Sequence, residues 1–210
     1  MPDKGREAWQ RLYSKHGMQY GGSGDISALS AVLDRNMTVL DVGCGDGKTT
    51  EILSGLCEVV GCDFSKEALV SLRSHRDPDR AVNLVECELN SLPFESEKFD
   101  AISCVHALSH LLEPDRRIAV RSLSRVLKPR GHIFIEVFGL GDFRCGEGRQ
   151  VEPQSYLRGN GIVTHYFSLG ELPALFKNLE KVSETRHSRR ITYGAVAGRR
   201  ETIRALLRKP

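Results

Sequence analysis

No stretch of the sequence holds the roughly 18 consecutive apolar residues that a helix needs to cross a bilayer. A helical membrane span is therefore not expected. The first 17 residues, MPDKGREAWQRLYSKHG, are charged and lack the apolar core of a secretory signal. None of the six cysteines forms a C-x-x-C pair, which argues against a structural zinc or a thiol oxidoreductase motif. Cys44, Cys57, Cys62, Cys87 and Cys104 lie in or beside apolar runs, where a reduced thiol acts as a small hydrophobe, and only Cys145 falls in a loop. This usage points to a reducing, cytoplasmic setting with no metal. One charge sign does not dominate either: 30 Lys and Arg stand against 27 Asp and Glu, a formal net charge of +3, too little to read as a polyanion-binding field.

What is present is an alternation of short β-rich runs with amphipathic ones. The 210 residues fit one domain. Strands are expected at 38–42, 57–62, 81–87, 99–105 and 131–138, each almost continuously apolar, as parallel strands covered on both faces should be. Helices are expected at 47–56, 65–76 (Ser65 as N-cap) and 114–128 (Pro114 in the first turn). After a further helix at 168–179, the runs 180–188 and 191–198 read as a hairpin closing at Arg189 and Arg190, followed by a basic tail. The fold class is thus α/β, a doubly wound, Rossmann-like sheet of seven strands, mostly parallel with an antiparallel C-terminal hairpin. Its segments are an N-terminal flap (1–34), a ligand-binding core (35–138), a glycine-rich loop on the substrate side (139–167), and a helix, hairpin and basic tail (168–210).

The first strand runs into VLDVGCGDG, residues 39–47, where glycines 43, 45 and 47 let backbone approach a ligand closely. A dinucleotide fingerprint beginning at Gly43 requires glycine at 48, where Lys48 stands, and one beginning at Gly45 requires it at 50, where Thr50 stands. The P-loop pattern is also missing. Asp63, at the end of the second strand, is placed to accept both hydroxyls of a ribose, and Asp41 to orient a ligand ammonium or brace the loop.

With ELNSLPFESEKFD at 88–100, these motifs resemble the class I S-adenosylmethionine-dependent methyltransferases over roughly residues 35–140. The resemblance implies S-adenosyl-L-methionine as cofactor, with Gly43 and Gly45 under its methionine part, Asp63 on the ribose and Phe64 against the adenine. It also implies Glu88 on the adenine amino group, where the family most often has Asp, Leu89 at the ring nitrogen through its backbone amide, and the Cys104 backbone beside the methionine. Tyr13 and Tyr20 resemble the family's closing N-terminal flap.

His106 and His110, just past the fourth strand, and His165 with Tyr166, at the end of the glycine-rich segment, are the candidates for proton transfer or for lining an acceptor pocket. The Pro-Cys pair of cytosine C5 methylation and the Asp/Asn-Pro-Pro-Tyr/Phe signature of exocyclic-amine methylation on bases are both absent. The chain is expected to methylate an O, N or S atom of a small molecule, because its glycine-rich loop is long enough to cap a pocket. RNA is the alternative acceptor, suggested by Arg186, Arg189, Arg190, Arg199, Arg200, Arg204, Arg208 and Lys209, and a non-catalytic cofactor-binding subunit is the third reading.

Overall fold

The computed structural model describes residues 3–16, 24–193 and 196–210. Its centre is a seven-stranded sheet built from β1 (Thr38–Val42), β2 (Glu58–Asp63), β3 (Val82–Glu86), β4 (Phe99–Val105), β5 (Leu127–Phe138), β9 (Glu180–Tyr193) and β10 (Val196–Arg208), in the order β3-β2-β1-β4-β5-β10-β9. The first five strands pair in parallel, and β10 runs antiparallel to both β5 and β9.

Alternation along each strand sends side chains to two cores. Leu40, Val42, Ile102, Cys104, Ile133 and Ile135 face α5 (Glu113–Val126), which buries Ala119, Val120, Leu123 and Val126 against them. Val39, Val59, Ala101 and Phe134 face the other way, toward α2 (Ser27–Ser30) and α3 (Lys48–Ser54) through Leu29 and Leu53. The strands are continuously apolar because both faces are covered. Ser65 caps α4 (Lys66–His75) by accepting the Ala68 N–H at 3.2 Å, and Pro114 lies in the first turn of α5.

From β1 the chain winds outward through β2 to β3, and from β4 it winds the other way to β5. The switch point, where ligands bind in open α/β sheets, is therefore the carboxyl end of β1 and β4.

Four expectations are corrected. The hairpin does not close at Arg189 and Arg190, which lie inside β9 and pair with Arg200 and Arg199. Residues expected as a basic tail form most of β10, where Ile203, Ala205 and Leu207 enter the core. The glycine-rich segment is not wholly a loop but holds a second, antiparallel sheet of β6 (Arg149–Glu152), β7 (Ser155–Leu157) and β8 (Val163–His165). The helix expected at 168–179 is confined to α6 (Glu171–Leu175).

Candidate active site

The turn after β1 requires its glycines. Gly43, Gly45 and Gly47 have φ of 66°, 54° and 94°, the left-handed region that costs an L-residue strain. A Cβ on Gly43 would stand 2.7 Å from the Ala107 Cβ, and one on Gly47 2.1 Å from Leu72 Cδ1. Asp63 fastens this turn: its Oδ2 accepts the Gly45 N–H at 2.9 Å and its Oδ1 accepts the Ser65 N–H at 2.9 Å. A carboxylate has about four acceptor sites, so backbone bonds from Gly45, Phe64 and Ser65 do not exhaust it. Asp41 accepts the Thr50 hydroxyl at 2.6 Å and so ties β1 to α3. Burial raises both carboxyls to about 6, against the hydrogen bonds each receives.

The helix α1 (Asp3–His16) covers this turn. Ala8, Trp9 and Tyr13 pack with Ala68 and Ile162, beside Leu12 and Phe64, and a Cβ on Gly45 would meet the Tyr13 hydroxyl at 2.5 Å. Arg6 reaches across from the same helix: its guanidinium lies over the Phe64 ring at 5.8 Å and pairs with Glu88 at 3.1 Å. The helix thus bridges two of the three residues that the resemblance assigns to the adenine, Phe64 and Glu88. Leu89 is half-buried against the main core. Tyr20 lies outside the described residues.

Cys104 is buried within the ladder, pairing with Val42 on one side and Ile135 on the other, and the residue that closes on Gly43 is Ala107. Between them His106 adopts φ 62°, a conformation that non-glycine residues keep mainly where surrounding structure enforces it, often at functional sites. Its ring lies flat on Phe138, with centroids 4.2 Å apart and planes 6° from parallel, and its Nε2 is 3.6 Å from Glu136 Oε1. Its Nδ1 has no hydrogen-bond partner among the described residues. About 30% of the side chain stays accessible, yet desolvation in this crowded setting, with His110 and Arg200 nearby, holds its pKa well below the ordinary histidine value. His110 sits beside it, edge-on to Trp9 at 4.8 Å and to Phe138 at 6.0 Å. Its Nδ1 is 2.9 Å from the Val163 carbonyl, which can only accept, so Nδ1 carries the proton and Nε2 the lone pair. Burial lowers its pKa to about 4.

His165 does not join this group as a free imidazole. Its Nδ1 is 2.8 Å from the Ser155 hydroxyl and its Nε2 2.7 Å from Glu171, which makes it a strut between β7 and α6. Tyr166 is buried with its ring tilted against Phe138 and Tyr156, and burial raises its phenol well above the usual value.

Sequence reading missed Arg6, Trp9 and Glu136, and named Arg200 only as one of a basic cluster. Glu136 left a signal, since an acid inside the apolar strand GHIFIEVF must find a partner. It accepts from Arg204 Nε at 2.6 Å, and Arg204 also pairs with Asp25. Arg200 lies over Phe138 at 4.9 Å and forms an ion pair with Asp142, Nε to Oδ2 at 2.8 Å, without an aligned hydrogen bond.

A sheet of this order, with a glycine turn and a fastening acid at its switch point, is the framework of the class I S-adenosylmethionine-dependent methyltransferases, and the chain belongs to that family. Residues 40–135 match the family model described as a methyltransferase domain. The chain is 34% identical over 159 residues to the tRNA N(3)-cytidine methyltransferase METTL2 of Mus musculus, a match covering 69% of this chain and 41% of that protein. The chain spans less than half the length of the curated tRNA N(3)-cytidine methyltransferases it matches. Among solved structures, a SAM-dependent methyltransferase from Anabaena variabilis superposes with a TM-score of 0.74 at 15% identity, over 97% of this chain and 94% of that one. The 1,6-didemethyltoxoflavin-N1-methyltransferase of Burkholderia thailandensis, solved with S-adenosylhomocysteine, gives 0.65 at 20% identity, over 100% and 90%. S-adenosylmethionine is the cofactor of this fold, and the strained glycine turn with the acceptor capacity left on Asp63 fits it.

Proposed function

We propose that this protein transfers the methyl group of S-adenosylmethionine to a nitrogen or oxygen of a base in RNA, with tRNA the first class to test. The observation that carries the acceptor chemistry is the wall of rings beside the glycine turn. Trp9, His106, His110 and Phe138 stand against one another there, a lining suited to a flat heteroaromatic ring. The printed activity of the curated relatives, methylation of cytidine in tRNA, supports placing that ring in RNA.

The cofactor supplies an electrophilic methyl group. Asp63 takes its ribose hydroxyls, Glu88 its adenine amino group beside the Arg6 ion pair, and the Gly43–Gly45 backbone approaches its amino-acid end. Most of the rate enhancement comes from holding acceptor and methyl in line and away from water under α1. Where the acceptor atom carries a proton, the neutral imidazole of His106, with Glu136 Oε1 3.6 Å from its Nε2, is the candidate to take it.

A second reading, a small heteroaromatic acceptor, is favoured by β8, whose Val163 carbonyl holds His110 and brings the second sheet over the site. Incubation with methyl-labelled cofactor and separate tRNA, total RNA and small-molecule fractions tests both. Label in tRNA supports the proposal, and label only among small molecules replaces it with the second reading.

A further inference from the structure

The last residue of β5 in register with β10 is Phe138, opposite Thr202, so residues 196–201 and their partners in β9 continue past the carboxyl edge of the sheet. At about 3.3 Å per residue this extension projects on the order of 20 Å, on the side where β1 and β4 deliver the active site. Its register places Arg189 opposite Arg200 and Arg190 opposite Arg199. Like charges directly across a ladder destabilise it, so folding gives no reason for this arrangement.

Arg200 is compensated by Asp142, and Arg186 is 3.8 Å from Glu201. Arg189, Arg190 and Arg199 are exposed and have no acidic partner among the described residues, Arg199 meeting only the Ser188 hydroxyl. Three uncompensated guanidiniums thus line a two-stranded arm whose base, at Phe138, is part of the acceptor wall.

We infer that the extension of β9 and β10 is the surface that holds the phosphodiester backbone of the RNA while its target base reaches the wall of rings formed by Trp9, His110 and Phe138. This rests on the proposed function and adds the element that binds the partner. Guanidiniums suit phosphate oxygens, and contacts to phosphate position a nucleic acid without reading its sequence. Arg200 links arm and pocket, one end on Asp142 and its plane over Phe138.

The test compares the wild-type chain with the double variants Arg189→Glu/Arg190→Glu and Arg189→Lys/Arg190→Lys, using tRNA binding as a function of salt. Cofactor affinity by calorimetry serves as the folding control, since neither residue touches the glycine turn. The expected result is at least a tenfold loss of tRNA affinity in the Glu variant. The salt slope should also shrink by about two, one for each phosphate contact removed, and the Lys variant should stay near wild type. A Glu variant that binds tRNA with wild-type affinity and slope would overturn the surface and leave RNA methylation standing. A wild-type chain that neither binds nor methylates RNA at low salt would overturn both. Binding of phosphatidylserine vesicles in place of RNA, lost in the Glu variant, would reassign the arm to a membrane and overturn the inference.

Discussion

The carboxylate of Asp63 holds the backbone N–H of Gly45 at 2.9 Å, so the acid proposed to bind the cofactor also shapes the glycine turn proposed to lie beneath it. Binding and preorganisation therefore depend on the same group. Asp63→Ala is expected to weaken S-adenosylmethionine by roughly 1–3 kcal/mol, the range for orphaning buried hydrogen-bonding partners, as read by calorimetry. Burial also gives this interaction a pH dependence, because Asp63 titrates at about 6 in the folded chain against 3.8 for an ordinary Asp. A carboxyl raised in the folded state stabilises the empty protein below pH 3.8, and that contribution fades as pH rises through 6. The cofactor hydroxyls need the ionised form, so affinity should be level above pH 7 and fall as pH drops through about 6. Asp63→Asn should flatten that fall, and a profile unchanged in the Asn variant would assign it to another group, with Asp41 next in line.

His106 is expected to matter for turnover and not for cofactor binding. His106→Ala should lower kcat by about 10²- to 10⁴-fold for an acceptor that must lose a proton, with calorimetric cofactor affinity within twofold of wild type. Glu136→Gln, which keeps the Arg204 hydrogen bond, should move the pH profile of kcat by removing the charge behind the imidazole. Identical profiles for the two proteins would show that Glu136 only braces β5.

The arginine on α1 should govern how long the cofactor stays. Arg6 and Glu88 form a largely accessible pair, worth at most about 1 kcal/mol, so Arg6→Ala should speed cofactor release by about fivefold or less. Trp9, on the same helix as Arg6, is the single tryptophan of the chain and packs edge-on to His110. Stopped-flow tryptophan fluorescence therefore reads the helix directly. A release rate equal to wild type would mean that α1 is held by Trp9 and Tyr13 alone.

Gly47 should be irreplaceable on structural grounds. With φ at 94° and a Cβ that would stand 2.1 Å from Leu72 Cδ1, Gly47→Ala combines backbone strain with overpacking. A loss of about 2–4 kcal/mol in urea unfolding is expected, with an unchanged slope. A loss below 0.5 kcal/mol would show that Leu72 and the turn yield easily.

The fold was legible where local rules and tertiary demands agree. VLDV and EVVGCD are apolar on both faces because both faces are covered, and the Gly43-to-Asp63 spacing is that of one strand-turn-helix-strand unit. The hairpin was misread because Arg189 and Arg190 look like a polar turn, whereas beyond the sheet a strand carries charge on both faces. The strands β6–β8 are three or four residues each amid glycines, too short for periodicity to register. Of the candidate residues, Asp63 and His106 follow from their places at strand ends, and His110 from the turn just after β4. Arg6 with Glu88, and His165 with Glu171 and Ser155, are pairings set by packing, which spacing along the chain does not encode.

The position of β10 between β5 and β9 also constrains the order in which the molecule assembles. When β9 emerges from the ribosome it has no neighbour to pair with, since both its own attachment and the outer side of β5 await the strand made after it. The five parallel strands can condense early around Leu40, Ile102 and Ile133. The arm and the β5 edge then close together in a late step of high contact order, which should appear as the slow phase of refolding.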